Sequence, residues 1–544
     1  MQTILVLIAC WLPGHAALAT QGIEGRLVDA AWLVQNLARP ELVLLDASPA
    51  PLFARQHIAG AVNVNVLGYG PFEAPAAAME QRFQSWGVSP GKTVVIYDQG
   101  GTFWATRTFF DLVYHGFPAS GLHILDGGLA KWQAGGGAVT KEPTPTPAPG
   151  SFRVTGAREE LRVRLPEFLV ASGDPKAHAV VEALEPSSHY GETTFFDRRG
   201  HVPYATMLPT DELFNADKTF KAPGEIRRML DHLGIKPEQQ VNSYCGGGLA
   251  ASVPFFALKY LAGYSKVKLY RESQLEWMRD ERGLPLWTYS APYLMREAPW
   301  LKGWGGAVTR MYGVSNLSIV DVRAPEAYQL GHLPFALNIP AEQIALHLRE
   351  PARLAELLGR AGVDASHEAV VVSEGGLDER SALAFLALHR LGQERVSILM
   401  PSTERWAELG HEVERAPTAV GPKKSPMDPS IMPVAYSATP RASVVVADPK
   451  ATRGLYSKVY VASGKTLPAR LPEGGTVLHL PYTTLLDVNG QPKPAMDLWK
   501  AIAKAGVPRY AEIVVFSDAL GEAAANYFLF KLVGFADVKV WTPG

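Results

Sequence analysis

The stretch Val-Asn-Ser-Tyr-Cys-Gly-Gly-Gly-Leu-Ala-Ala-Ser, residues 241–252, joins a strand-like segment to a helix-like one through three glycines. A strand, a glycine turn and a helix in this order place backbone N–H groups and a helix N-terminus around one side chain, here Cys245. Such surroundings favour a reactive sulfur that can carry a negatively charged adduct. The order also predicts a parallel sheet, because a helix has to carry the chain back to the next parallel strand.

This strand–turn–helix unit occurs four times, and we number its occurrences copy one to copy four. The focal residue, directly after the strand, is in turn Asp98, Cys245, Glu374 and Asp518. A glycine ends each following helix 16 to 18 residues later, as expected of a residue that tolerates the left-handed conformation. Another strand-like run follows each glycine. We therefore expect an α/β protein of four tandem domains, each a mostly parallel central sheet with helices on both faces.

Stretches rich in proline separate the copies. Residues 143–149 alternate proline with threonine or alanine and form a stiff spacer after copy one, and residues 416–440 precede copy four. The expected domains are 22–140 around Asp98, 158–290 around Cys245, 305–415 around Glu374 and 436–544 around Asp518, preceded by a signal peptide at 1–19.

The N-terminus has the pattern of a secretory leader. The apolar run at residues 4–12 is too short to cross a bilayer, and Ala17-Leu18-Ala19 offers a cleavage site. No Lys or Arg precedes the run, so lipidation of Cys10 and an uncleaved segment stay open as alternatives to cleavage after Ala19. We expect a periplasmic or secreted protein with no membrane span.

The composition limits the kinds of partner and cofactor that the protein is expected to bind. The net charge of -1, from 52 basic and 53 acidic residues, does not favour nucleic acid. The 14 His show no HxH, HExxH or CxxC spacing, so we expect no metal and no other cofactor. Once the leader is removed, Cys245 is the remaining cysteine, and the chain cannot form an internal disulfide.

Three motifs resemble those of the rhodanese family. The pattern Asp-x-Arg…Gly-His-Leu-Pro-x-Ala, from Asp321 to Ala336, resembles the start of a rhodanese domain, residues 241–252 resemble its active-site loop, and Asp126 to Trp132 resemble its closing segment. Copies one and two together resemble the thiosulfate and 3-mercaptopyruvate sulfurtransferases, in which an inactive first domain packs against an active second one. Copies one, three and four lack the cysteine at the focal position and are expected to be inactive.

The resemblance implies that Cys245 accepts a sulfane sulfur as a persulfide and passes it on. The expected partners are a small anionic donor, thiosulfate or 3-mercaptopyruvate, and a thiol or cyanide acceptor, with a redox protein as a further possible acceptor. Arg198 and Arg199 are candidates for binding the donor, although a solvated loop is an alternative role for both. The active-site loop would be formed by Gly246, Gly247, Gly248, Leu249 and Ala250.

The cysteine loop does not fit a cysteine phosphatase. Such an enzyme needs an Arg six positions after the cysteine, and this chain has Ala251 there. A persulfide carrier without turnover, or a protein-binding scaffold in the periplasm, remains the alternative to an enzyme. We also expect a structural salt bridge between Asp98 and Arg107, and a structural turn role for the histidines that recur at one position, His57, His201 and His332.

Overall fold

A computed structural model of the protein describes residues 23–24, 26–69, 74–194, 196–425, 428 and 430–542. The predicted leader at 1–19, including Cys10, lies outside the described residues. The chain divides into two compact units. The first unit comprises Met1–Arg164, Thr210–Ile226 and Ser243–Glu272, and the second unit comprises Leu165–Pro209, Arg227–Asn242 and Ser273–Gly544.

Copy one is built around a six-stranded sheet. Its strands are β1 Ile23–Glu24, β2 Leu27–Val28, β3 Leu42–Asp46, β4 Val62–Asn63, β5 Thr93–Tyr97 and β6 Leu122–Leu125. Its helices are α1 Ala30–Asn36, α2 Ala50–Arg55, α3 Ala76–Ser85, α4 Trp104–Tyr114 and α5 Gly128–Ala134. The strand order is β1-β2-β6-β5-β3-β4, in which β1 runs antiparallel to β2 and the other pairs are parallel.

Copy two is built around a five-stranded sheet. Its strands are β7 Arg162–Val163, β8 His178–Glu182, β9 Thr206–Met207, β10 Gln240–Tyr244 and β11 Val267–Tyr270. Its helices are α6 Leu165–Gly173, α7 Pro186–His189, α8 Pro223–His232, α9 Ser252–Phe256 and α10 Ser273–Arg279. The strand order is β7-β11-β10-β8-β9, and the division between the two units falls within β10, after Asn242.

Copy three repeats the five-stranded arrangement. Its strands are β12 Met295–Arg296, β13 Leu317–Asp321, β14 Ala336–Asn338, β15 Glu368–Val372 and β16 Val396–Leu399, in the order β12-β16-β15-β13-β14 and all parallel. Its helices are α11 Ala298–Gly305, α12 Ala307–Met311, α13 Pro325–Leu330, α14 Ala341–His347, α15 Pro351–Arg360, α16 Glu379–Arg390 and α17 Thr403–Glu408. Strand β12 lies before residue 305, where the linker pattern places the start of this domain.

Copy four has the same sheet and fewer helices among the described residues. Its strands are β17 Val445–Val446, β18 Lys458–Ala462, β19 Thr476–His479, β20 Glu512–Phe516 and β21 Val538–Trp541, in the order β17-β21-β20-β18-β19 and all parallel. Its helices are α18 Ala495–Lys504 and α19 Leu520–Leu532. The four sheets confirm the expected series of α/β domains.

The focal residue of each copy follows a central strand of its sheet: β5, β10, β15 or β20. These strands are almost wholly buried, which is typical of parallel strands covered by helices on both faces. Strands β5, β15 and β20 are mainly apolar, whereas β10 contains the polar residues Asn242 and Ser243. Each focal residue therefore lies at the carboxyl edge of its sheet, where α/β proteins place their ligand-binding loops.

Helices from neighbouring copies pack against one another within each unit. In the first unit, α4 meets α9 through edge-to-face ring pairs, with Phe109 and Phe256 centroids 5.0 Å apart and those of Phe110 and Phe255 5.1 Å apart. In the second unit, α16 and α19 share one apolar core, in which the Phe385 and Phe528 rings are 5.0 Å apart. Among the described residues, no helix combines the length and apolarity that a membrane crossing requires.

Candidate functional site

The glycine turn around Cys245 is closed by its own polar groups. Strand β10 ends at Tyr244, directly before the cysteine, and helix α9 begins at Ser252. The Ser243 hydroxyl donates to the carbonyl of Ala251 at 2.8 Å and so ties the two ends of the loop together. A bond across the base of the turn reduces the number of conformations that the loop can adopt.

The sulfur of Cys245 lies inside this loop and is held by its backbone. The Gly248 N–H donates to Sγ at 3.1 Å, and the residue as a whole is only 2% exposed. Gly248 has a φ of +79°, and a Cβ built on it would lie 1.8 Å from the carbonyl oxygen of Arg271. Glycine is therefore required at this position for two reasons: the backbone has a positive φ, and there is no room for a Cβ atom.

The other residues of the predicted loop differ in their exposure to solvent. Gly246 is buried, whereas Gly247, Leu249 and Ala250 are partly exposed. A donor that reaches the sulfur would meet the three partly exposed residues first.

A buried arginine from copy one anchors the loop. Arg107, on α4, donates from Nη1 to the Gly248 carbonyl at 3.0 Å, and from Nε to both carboxylate oxygens of Asp111 at 3.1 Å. Both side chains of this ion pair are fully buried. Nearby, the hydroxyls of Thr106 and Ser252 are 2.8 Å apart. Copy one thus takes part in shaping the loop, although it has no cysteine.

The predicted salt bridge between Asp98 and Arg107 is wrong. The Asp98 carboxylate instead accepts from its own turn: from the backbone N–H groups of Gly100 and Ala105, and from the Thr102 hydroxyl at 2.6 Å. Because these local donors satisfy both oxygens, Arg107 pairs with Asp111 one helical turn later. The spacing of four residues between Arg107 and Asp111 is the sequence signal that could have found the true pair.

The Arg107–Asp111 pair is an electrostatic feature of the loop's surroundings. Burial would raise the pKa of Asp111, but the positive charges of Arg107 and Arg271 lower that pKa below its usual value. The carboxylate is therefore ionised and the pair is charged on both sides. Two positive charges, those of Arg107 and Arg271, therefore lie close to the loop, and Arg107 is hydrogen-bonded to the Gly248 carbonyl.

The other candidate residues have different surroundings. Arg198 donates from Nη2 to the carbonyl of Leu284 at 2.6 Å, and Arg199 is exposed. Both belong to the second unit, whereas Cys245 belongs to the first. The focal residues Glu374 and Asp518 are exposed, and Glu374 lies 3.8 Å from Arg380. Their carboxylates face solvent instead of being enclosed by a glycine turn.

The three recurring histidines occupy equivalent, buried positions. Their backbones form isolated antiparallel bridges to the segment that closes each domain, namely His57 to Thr140, His201 to Trp287 and His332 to Glu414. This pairing accords with the structural role expected for the position. As for metal ions, no group of three or more His, Cys, Asp or Glu side chains in the described part of the chain could hold one.

Comparison with known proteins finds relatives of consistent type. The family model for the rhodanese-like domain matches residues 29–135 and 307–409, which lie in copies one and three. Thiosulfate sulfurtransferase from Pseudomonas aeruginosa is 30% identical over 260 residues, which cover 46% of this chain and 93% of that protein. Sulfur carrier protein TtuD from Thermus thermophilus is 29% identical over 272 residues, 46% of this chain and 93% of that protein. A third relative, "Probable 3-mercaptopyruvate sulfurtransferase" from Pseudomonas aeruginosa, is 28% identical over 290 residues, 48% of this chain and 97% of that protein.

Proposed function

The chain belongs to the rhodanese-like sulfurtransferase family, and on this premise we propose that it transfers a sulfane sulfur from a small anionic donor through a persulfide on Cys245. Sulfur transfer in general is supported by the relatives, which are named as sulfurtransferases or as a sulfur carrier. The single observation that carries the assignment to Cys245 is the 3.1 Å bond from the Gly248 N–H to its sulfur. Backbone N–H groups that point at a sulfur stabilise the negative charge that a persulfide would carry there.

The proposed reaction has two displacement steps. The Cys245 thiolate attacks the outer sulfur of thiosulfate, the S–S bond breaks, and sulfite leaves with the electron pair. An acceptor such as cyanide then attacks the terminal sulfur of the persulfide, forming thiocyanate and restoring the thiolate. The covalent intermediate divides one difficult transfer into two easier ones.

Thiosulfate is the donor that we expect to react faster. Sulfite leaves as a stable anion, whereas the enolate left by 3-mercaptopyruvate has to be protonated. The loop residues after the cysteine are Gly-Gly-Gly-Leu-Ala, and none of them has a hydroxyl to deliver a proton. Arg198 and Arg199 are proposed to attract the anionic donor, and the exposed Arg199 is the better candidate of the two.

A thiocyanate assay on the full chain tests this function. The wild type, given thiosulfate and cyanide, should release thiocyanate, and Cys245→Ser should release none above the uncatalysed background. An Arg199→Ala variant should raise KM for thiosulfate and leave kcat nearly unchanged, because the arginine would bind the donor without touching the bond that breaks. Equal thiocyanate release by wild type and Cys245→Ser would overturn the proposal.

A carrier role is the second candidate function, and one observation favours it. Cys245 as a residue is only 2% exposed, so small molecules have little access to it, and a protein acceptor that opens the loop would be better suited. One relative is also named as a sulfur carrier. Measuring sulfur loaded per chain against sulfur released per minute separates the two. A stoichiometric persulfide that persists with cyanide and is discharged only by a protein thiol would favour the carrier.

We also propose that the protein is exported, with a leader that ends at Ala19. The proposal rests on the apolar run at residues 4–12 and the Ala17-Leu18-Ala19 site that follows it. N-terminal sequencing of the protein from a periplasmic fraction should begin at Thr20. Recovery of a lipid on Cys10, or of the intact N-terminus in the cytoplasm, would contradict it.

A further inference from the structure

A buried carboxylate, an imidazole and a hydroxyl form a continuous hydrogen-bonded series in the second unit, whereas Cys245 belongs to the first. Glu182 Oε2 lies 2.5 Å from Nδ1 of His189, and Nε2 of His189 lies 3.3 Å from the Ser290 hydroxyl. Glu182 and His189 are fully buried, whereas Ser290 is partly exposed. The order of groups is that of a nucleophile, its base and the carboxylate that orients the base.

The surrounding bonds fix the orientation of the imidazole. Gln274 donates from Nε2 to the second oxygen of Glu182 at 3.0 Å, so the carboxylate is held from both sides. Because a carboxylate only accepts, Nδ1 of His189 carries the proton and Nε2 is left to accept from Ser290. Burial lowers the pKa of His189 well below its usual value, and the charge of Arg509 lowers it further. The ring is therefore neutral at pH 7, and its Nε2 carries no proton.

The imidazole is a feature of copy two that copies one and three lack. In each of the three copies, a ring seven residues after the strand-ending carboxylate stacks on the recurring histidine. That ring is Phe53 in copy one and Tyr328 in copy three, with centroids 3.8 Å from the histidine in both. In copy two it is His189, stacked 3.5 Å from His201. A phenyl ring satisfies the packing, so packing alone does not require a histidine here.

The hydroxyl of this series opens into a cavity of about 250 Å³ between elements of copies two and four, all within the second unit. Its lining includes Ser290, the aromatic rings of Tyr190 and Trp499, and two cations, Arg509 and Lys531. None of the described lining residues is acidic. The volume lies slightly below that of typical ligand sites, so a small molecule is the expected occupant.

The two cations make the cavity suited to an anion. The Lys531 ammonium donates to the carbonyls of Ala536 at 2.6 Å and Phe535 at 3.3 Å, and it forms no ion pair with a described carboxylate. Burial lowers the pKa of Lys531 to about 8, and the negative charge of Asp537 opposes this shift. The Arg509 guanidinium donates to the Met207 carbonyl. An anionic group bound in the cavity would be attracted to both positive charges.

We propose that Ser290 and His189, oriented by Glu182, form a second active site that hydrolyses a small ester or thioester carrying a further anionic group. The hydroxyl oxygen of Ser290 bonds to the acyl carbon while its proton passes to Nε2 of His189. The C–O or C–S bond then breaks, and the leaving group departs with the electron pair and the proton from His189. Water attacks the acyl-serine in the same way, so that the carboxylic acid leaves and Ser290 regains its proton.

Hydrolysis of activated esters by the full chain tests this site. The chain should carry Cys245→Ser, so that the thiol cannot take the acyl group. Mono-4-nitrophenyl succinate, which is anionic, should be hydrolysed faster than the uncharged 4-nitrophenyl butyrate, and mass spectrometry should find the succinyl group on Ser290. Adding Ser290→Ala should lower kcat/KM by on the order of 100-fold or more, because both the nucleophile and its bond to the base are lost.

Further variants separate chemistry from folding. His189→Phe restores the ring of copy one, keeps the stack and should abolish the reaction, whereas Ser187→Ala, on a nearby hydroxyl outside the series, should not. Glu182→Gln should lower kcat and leave KM unchanged, since it acts through His189. Lys531→Met should remove the preference for the anionic ester. Equal hydrolysis with and without Ser290, an acyl group on another residue, or no hydrolysis of either ester would overturn the proposal.

Discussion

At the scale of single residues, two side chains define the candidate sulfur site. Cys245 supplies the nucleophile, and Arg107 holds the loop around it through the Gly248 carbonyl. Arg107 is also paired with Asp111 in a fully buried environment. A buried ion pair adds little net stability, but loss of one partner leaves an uncompensated charge in the interior.

Arg107→Ala should therefore be strongly destabilising. It removes the partner of buried Asp111 and the anchor of the loop, and we expect the free energy of unfolding to fall by about 3–5 kcal/mol. Urea denaturation measures this change. Arg153→Ala, which breaks an exposed pair with Glu80, is the matched control and should produce a much smaller change. Similar effects of the two substitutions would contradict this prediction, because they would show that losing Arg107 does not leave a costly unpaired charge on Asp111.

At the scale of the element, the strand–turn–helix unit was the most predictable part of the chain. The strands and the glycines that stop the following helices are local features, so helices α4, α16 and α19 each end two residues before their glycine. In copy two, the expected helix is divided into α9 and a π-helical segment, Ala257–Leu261. Local spacing does not specify such a change in hydrogen bonding.

The parts of the site that the sequence could not predict depend on long-range contacts. Whether Arg107 pairs with Asp98 or Asp111 depends on how the Asp98 turn satisfies its own carboxylate. The anchoring of Gly248 by Arg107 joins residues 141 positions apart. The Glu182–His189–Ser290 series likewise includes a contact across 101 positions, and no periodic pattern links its members.

The tight packing of the turn at Gly248 leads to a prediction for which Gly263 is the matched control. Gly248 and Gly263 have nearly the same φ, +79° and +81°, but a Cβ on Gly248 would meet the Arg271 carbonyl, whereas one on Gly263 meets nothing within 4 Å. Gly263→Ala should cost about 1–2 kcal/mol from backbone conformation alone and keep sulfur transfer. Gly248→Ala should also displace the loop and lower thiocyanate release at least about tenfold, because small misplacements of reacting groups are costly.

Thiocyanate assays and urea denaturation of both glycine variants measure these effects. Equal activities of Gly248→Ala and Gly263→Ala would contradict the tight packing of the loop against Arg271.

At the scale of the whole molecule, equivalent helices pair in the two units. Helix α4 packs on α9 in the first unit, and α16 packs on α19 in the second. Copies three and four share a single hydrophobic core, to which both α16 and α19 contribute buried residues. We therefore expect the residues of copies three and four to unfold together, although neither has a cysteine at its focal position.

The interface between α16 and α19 contains a histidine that makes stability depend on pH. His389 bonds through Nδ1 to the Tyr527 hydroxyl at 2.6 Å, and burial lowers its pKa to about 3. An unfolded histidine titrates near 6.5, so the unfolded chain binds more protons below that pH. Stability is therefore full above about pH 6.5 and should fall by about 1–2 kcal/mol from this residue between pH 6.5 and 5.

Urea midpoints between pH 5 and 7.5 test this dependence. His389→Gln should flatten the profile, and His479→Gln, at an exposed residue, is the matched control. An unchanged slope in His389→Gln would show that this histidine is not the titrating group.

Mass spectrometry of the intact protein after thiosulfate treatment tests the central claim most directly. We predict a gain of one sulfur atom, about 32 Da, which maps to Cys245 and disappears when cyanide is added. No gain, a gain on another residue, or the same gain in Cys245→Ser would contradict the account.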